Sequence, residues 1–187
     1  MSFKRIFLNN LVNLFKIRKM VEYEALMTVE IPRGSNIKYE IKDGKLICDR
    51  ILHTPMNYLC NYGCFEGTLA GDGDPLDVCL LMDNTALHPG CYIKVRIVGV
   101  LITEDEKGMD EKIIVVPVDE VDPTYSDVRD LKHIPNSTLN QLKFFFEKYK
   151  SLEKNKEVKV TGFEPRDVAW KIYQESVEKY NENNKNV

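Results

Sequence analysis

Polar and apolar residues alternate from Ala25 to Ile31, with Leu26, Thr28 and Glu30 on one side, the period-two pattern of a strand. Pro32, Gly34, Ser35 and Asn36 interrupt it, the alternation resumes from Ile37 to Ile41, and Asp43-Gly44 suits a tight hairpin turn before a further strand from Leu46 to Ile51. Three strands joined by short turns predict an antiparallel meander. Val78 to Met82 reads as a short buried strand. Tyr92 to Leu101 carries Val95, Ile97 and Val98 and is broken by Gly99, and Ile113 to Val118 is β-branched and apolar. Short strands separated by turn signals predict a closed or nearly closed barrel.

The period changes after Pro135. Leu139, Leu142, Phe145, Phe146 and Tyr149 fall at helical spacing, and Thr138 followed three residues later by Gln141 has the form of a capping box. Val158 to Val160 returns one strand. Pro165 suits the first turn of a second helix, with Ala169, Ile172, Tyr173, Val177 and Tyr180 along one face, and the polar tail 181–187 is expected to fray. The fold class is mainly β with helices (α+β): a barrel with two C-terminal helices packed alongside. Without internal repeats or a linker, residues 21–187 read as a single domain.

Residues 1–20 differ from this body. Lys4, Arg5, Lys16, Arg18 and Lys19 stand without a single acid, and Phe3, Phe7, Leu11, Leu14 and Phe15 fall near helical spacing. Asn9, Asn10 and Asn13 break the apolar run, and no small-residue cleavage site follows. The preferred readings are an upstream translation artefact with Met20 as the true start, or a disordered extension, ahead of a targeting peptide or surface anchor.

Bulk properties narrow the function classes. A length of 187 residues suits one domain, and 43% hydrophobic residues argue against disorder. The net charge of −3 offers no basic coat for nucleic acid, and no run of apolar residues, that in 1–20 included, is long enough to span a membrane. The five cysteines, Cys48, Cys60, Cys64, Cys79 and Cys91, match no disulfide framework. Cys60 and Cys64 have half the spacing of a zinc site but no second pair follows, so buried reduced thiols in a cytoplasmic protein are expected.

The sharpest local feature is Gly71-Asp72-Gly73-Asp74-Pro75-Leu76-Asp77. Three carboxylates so close repel one another unless a cation sits among them or water hydrates them fully. The glycines let the backbone bend and Pro75 stiffens the turn, so the loop can aim several hard oxygen ligands at one point, which selects magnesium, calcium or manganese over zinc. A solvated acidic turn is the plain alternative, and an EF-hand reading fails on the positions of its glycine and final glutamate. A second acidic group comprises Glu104, Asp105, Glu106, Asp110 and Glu111; alone it reads as a polar hairpin loop. The two together supply carboxylates for more than one metal ion, as phosphoryl-transfer sites do. Lys38, Arg50, Lys112 and Lys150 are candidates to grip phosphate oxygens, and Tyr58, Tyr62 and Tyr149 to donate hydroxyl hydrogen bonds. Lys38 and Glu40 share one strand face.

From about Thr28 to Gly162 the chain resembles the soluble family I inorganic pyrophosphatases of the short bacterial type. The resemblance rests on Glu30-Ile31-Pro32, Lys38-Tyr39-Glu40, Asp49-Arg50, Tyr58 with Asn61-Tyr62-Gly63, and the hexapeptide Asp72 to Asp77. It continues through Val98-Gly99-Val100, Asp105-Glu106 with Asp110 and Lys112, and Phe145-Phe146-Glu147 with Tyr149-Lys150. Leu59 stands where relatives often carry proline.

The resemblance implies an OB-like five-stranded barrel and metal-dependent hydrolysis of pyrophosphate to two orthophosphates, with several Mg2+ ions and Mn2+ as a substitute. It implies that Asp72, Asp77, Asp105 and Asp110 ligate metal, with Glu30 acting through water. It casts Asp74 as the residue that orients or deprotonates the attacking water. Lys38, Arg50, Tyr62, Lys112, Tyr149 and Lys150 would hold pyrophosphate, with Tyr58 and Glu40 in the same cavity, in a homo-oligomer, favoured as a hexamer. The competing classes are a calcium-binding module and a single-strand-binding OB-like module without catalysis.

Overall fold

The computed structural model of the protein describes residues 23–106 and 108–185, and the expectations for residues 1–20 lie outside them. The described elements run in chain order as β1 (Glu24–Ile31), β2 (Ile37–Lys42), β3 (Lys45–Ile51), β4 (Asn61–Phe65), β5 (Leu76–Leu80), β6 (Tyr92–Asp105), β7 (Gly108–Pro117), α1 (Asn136–Lys148), β8 (Lys159–Pro165) and α2 (Arg166–Lys185). Strands β1-β4-β5-β7-β6 are neighbours in that order, and β6 pairs back onto β1, closing a five-stranded OB-like barrel.

The 14-residue β6 makes closure possible. One edge pairs with β7 from Val95 to Asp105; the other pairs with β1 through Tyr92 to Arg96 and then with β8 through Gly99 to Glu104. A register shift against β7 falls between Ile97 and Gly99, where the opposite edge changes partner, and a Cβ on Gly99 would lie 2.2 Å from Leu131 Cγ.

Alternation gives each strand two buried faces. Met27, Val29, Phe65, Val78, Val95 and Ile113 belong to the cluster to which all five barrel strands contribute, which fills the interior and continues to Ala169 on α2. Their sequence neighbours point outward: Tyr62, Cys79, Leu101, Ile114 and Val116 pack with Leu142, Phe145, Phe146 and Tyr149 of the α1 segment. Full burial of such aromatic and aliphatic side chains stabilises the fold by about 1.5–3 kcal/mol each.

Several expectations need correction. The predicted meander does not form: both edges of β1 are taken by β4 and β6, so β2 and β3 pair only with each other in a separate two-stranded sheet. Their turn is as read, with Asp43 and Gly44 both at positive φ. Thr138 does not cap α1; the helix starts at Asn136 behind Pro135 without a side-chain cap, and the Thr138 N–H already donates to the Pro135 carbonyl. The tail is helical as far as Lys185. The strand expected over Val78 to Met82 starts at Leu76 and ends at Leu80. Cys48 is exposed on β3 rather than buried; all five cysteines are free.

Candidate active site

The outward residues of adjacent strands form the floor of a cavity. Thr28 on β1 lies opposite Cys64 on β4, Cys64 opposite Asp77 on β5, and Asp77 opposite Lys112 on β7. Each has an interior-facing neighbour in Met27, Phe65, Val78 or Ile113, so the same alternation that fills the barrel turns these polar groups outward. The β2–β3 hairpin forms one wall with Lys38, Glu40 and Arg50. The Asp72–Asp77 loop forms another, and Tyr149 and Lys150 reach in from the end of α1. The cavity measures about 710 Å³ and gathers all fourteen residues singled out from the sequence. A larger hollow of about 1080 Å³ lies beside it and shares Asp105 and Lys150, but the tyrosines, Asp77 and Lys112 are absent from its walls. The chemistry converges in the smaller one.

Its electrostatics centre on Lys112, whose side chain is 1% exposed. The ammonium donates to Asp77 Oδ2 at 2.7 Å and Asp110 Oδ1 at 2.6 Å, and lies 5.7 Å from the ring centres of Tyr62 and Phe146. Burial alone would drive the ammonium toward neutrality, but Asp77 and Asp110 outweigh it and hold its pKa well above the usual lysine value. Burial raises the Asp110 carboxyl, as does the charge of Asp77, against the pull of Lys112. Burial also raises Glu30, offset by a hydrogen bond from the Ile41 N–H at 3.0 Å that ties the hairpin to β1. Lys150 meets Asp105 at 3.1 Å.

Among the described residues no three acidic, cysteine or histidine side chains already converge as a metal cage. Lysine ammoniums stand between the carboxylates instead. The donor set nonetheless fits a hard divalent cation, because Glu30, Asp77 and Asp110 are oxygen donors on one wall, where burial and the charge of Asp77 raise the carboxyls of Glu30 and Asp110.

The mouth is shaped by the aspartate loop. Asp72 Oδ1 accepts from the Asp74 N–H at 3.1 Å, and the Asp74 carbonyl accepts from the Ala70 N–H at 2.8 Å. Gly73 between them sits at φ +90°, a conformation that glycine adopts without strain. The loop therefore hands Asp74 to the rim and Asp77 to the floor. Burial raises the pKa of Tyr58, Tyr62 and Tyr149, so all three hydroxyls remain protonated donors at neutral pH.

Lys38 and Glu40 meet at 2.5 Å on one face of β2, as their spacing predicted. Burial would raise the Glu40 carboxyl, but hydrogen bonds from Lys38 and Lys42 outweigh it and hold its pKa at about 2, against the ordinary 4.5. The stability this brings is complete above about pH 4.5 and is lost as pH falls toward 2. Glu40→Gln should therefore flatten the pH dependence of unfolding over that window. Denaturant titrations at successive pH values check this, and an unchanged acid limb would contradict it.

Three further charged groups had no role assigned from the sequence. Asp49 pairs with Arg50 Nη1 at 2.6 Å, Glu153 accepts from Arg50 Nε at 3.0 Å, and Lys156 pairs with Glu106. Asp49 was visible as the neighbour of Arg50. Glu153 and Lys156 lie in an irregular stretch after α1, where no periodicity marks which residues turn inward.

A family model described as inorganic pyrophosphatase matches residues 27–181. The chain belongs to the inorganic pyrophosphatase family. An inorganic pyrophosphatase of Nanoarchaeum equitans is 50% identical over 157 residues, covering 84% of this chain and 98% of the relative. One from Helicobacter pylori is 45% identical over 172 residues, covering 90% and 99%. The solved Helicobacter pylori enzyme superposes with a TM-score of 0.83 at 46% identity, covering 84% of this chain and 94% of that one. That of Thermus thermophilus gives 0.82 at 38%, covering 87% and 94%. The pyrophosphatase fold expected from the resemblance is thus present. Among the described residues no helix is long and apolar enough to cross a membrane.

Proposed function

We propose that the cavity hydrolyses inorganic pyrophosphate to two orthophosphates, using a water molecule activated beside its aspartates. The observation that carries this reading is the convergence of cationic, carboxylate and tyrosine hydroxyl groups on one 710 Å³ cavity in a chain of this family. Asp72, Asp77, Asp105 and Asp110 would hold the divalent cations, with Glu30 contributing to the same site. Magnesium, with manganese as substitute, would offset the substrate's charge and acidify the attacking water. Lys38, Arg50, Lys112 and Lys150 bind the pyrophosphate oxygens, and the protonated Tyr58, Tyr62 and Tyr149 hydroxyls donate to them. Asp74, on the rim, accepts a proton from the water as its oxygen bonds to phosphorus. The bridging P–O bond breaks, and Arg50, Lys150 and Tyr149 stabilise the charge that builds on the departing phosphate. Glu40 keeps Lys38 turned into the cavity.

Residues 21–187 act as one domain in this reading. Free cysteines support a cytoplasmic setting. Exposed Leu46, Ile47 and Ile51 on the hairpin support association of copies, which we assign as a hexamer. The acidic cavity disfavours a single-strand-binding role.

Phosphate release from pyrophosphate by the purified chain tests the reading. Rapid release with magnesium that stops on adding chelator is the expected result; no release with either magnesium or manganese would overturn it.

A further inference from the structure

Five ion pairs join six charges of alternating sign along the wall of the cavity. Glu153 meets Arg50 at 3.0 Å, Arg50 meets Asp49 at 2.6 Å, and Asp49 meets Lys38 at 3.3 Å. Lys38 and Lys42 both meet Glu40 at 2.5 Å. Five of the six belong to the β2–β3 hairpin, whose strands have no sheet partner but each other and reach β1 through the Ile41–Glu30 hydrogen bond. Glu153 alone comes from elsewhere, the stretch after α1, where its N–H donates to the Lys150 carbonyl at 2.9 Å. Its side chain is 9% exposed, and it does not line the cavity; it stands behind Arg50.

The two carboxylates grip different edges of the Arg50 guanidinium. Asp49, the preceding residue on the same strand, takes Nη1, while Glu153 takes Nε from across the site. Among the described residues Nη2 is left without a protein acceptor, on an arginine that lines the cavity. A planar fork fixed at two edges presents the third in one orientation, and a phosphate oxygen needs that orientation for a directed hydrogen bond. With Asp49 alone, the guanidinium would follow the hairpin, which has no sheet partner to hold it.

We propose that Glu153 is a positioning residue for pyrophosphate binding: it fixes Arg50 so that the guanidinium faces the substrate, and it ties the hairpin wall to the helix side of the cavity. This rests on the reading of the cavity as a pyrophosphate site.

The test measures steady-state kinetics and the affinity for methylenediphosphonate, a non-hydrolysable diphosphate. It uses wild type, Glu153→Ala, Glu153→Gln, Arg50→Gln and the Glu153→Ala/Arg50→Gln double variant. Glu153→Ala should raise KM and the analogue's Kd about tenfold while kcat falls by less than about threefold. Glu153→Gln keeps an acceptor for Nε and should restore part of the affinity. In the Arg50→Gln background, removing Glu153 should change neither constant, because the residue acts through Arg50. Independent, multiplicative effects in the double variant would overturn the proposal, as would a lowered melting temperature with KM and Kd unchanged. A wild-type protein that neither releases phosphate nor binds the analogue would overturn the pyrophosphate reading itself.

Discussion

Lys112→Met is expected to lower stability by about 3 kcal/mol in the presence of a chelator, the low end of the range for breaking a buried ion pair. Methionine fills much of the same volume between Tyr62 and Phe146, so packing changes little and charge dominates. Asp77 and Asp110 would face one another without the ammonium that now stands 2.7 Å and 2.6 Å from them. The low end applies because Asp77 is 31% exposed and can be partly hydrated. For a chain of this size the loss corresponds to a fall in melting temperature of about 6–12 °C. Divalent cations should recover more stability in the variant than in wild type, because the two carboxylates then lack a resident positive charge. Thermal unfolding with chelator and with magnesium checks both parts. Equal melting temperatures in chelator would mean that water, not Lys112, neutralises the pair. Pyrophosphate hydrolysis should be lost in the variant whatever its stability, since Lys112 is assigned to the substrate.

The same arrangement explains what the sequence made legible. The aspartate loop was readable because short-range chemistry encodes it: glycines at the bend, Pro75 for stiffness, and carboxylates in excess of what a turn needs. Lys112 was readable only by its chemistry, as a cation just ahead of the apolar run from Ile113, in company with the nearby acidic clusters. What escaped depends on contacts between distant segments. Strand β4 was not among the strands expected from the sequence, because Asn61, Gly63 and Cys64 carry little strand signal. Yet Gly63 is dictated by the fold, since a Cβ there would lie 1.9 Å from the Thr28 carbonyl oxygen of the neighbouring β1. The second acidic group looked like a loop because its charges are dense. In the structure β6 runs to Asp105 and β7 begins at Gly108, so Asp110 is held in a ladder opposite Thr103. Pairing fixed by β6 overrides the local preference of acidic residues for turns. Glu153 depends on how an irregular segment folds back onto β3, and no periodic signal encodes that.

Asp77→Asn should cut kcat for pyrophosphate hydrolysis by about a thousandfold, or ~4 kcal/mol in the barrier, while leaving the fold intact. Asparagine keeps the side-chain shape on β5 and an oxygen that can still accept from Lys112, and Lys112 retains its ion pair with Asp110. What disappears is one negative charge at the centre of the floor, where Asp77 lies opposite Lys112 in the β5–β7 ladder and beside Cys64 of β4. That charge is assigned to hold a divalent cation, and a neutral amide oxygen binds a hard cation far less strongly. Asp74→Asn provides the contrast. Asp74 sits on the exposed rim, where its carbonyl rather than its carboxylate carries the Ala70 contact. Its replacement should leave stability and cation dependence unchanged and lower kcat with little change in KM. The pair separates cation holding from water activation: raising magnesium should recover part of the Asp77→Asn rate and none of the Asp74→Asn rate. If both variants turn over at close to the wild-type rate, these aspartates do not carry the chemistry. If magnesium rescues both equally, Asp74 holds a cation as well and the proton passes to another acceptor.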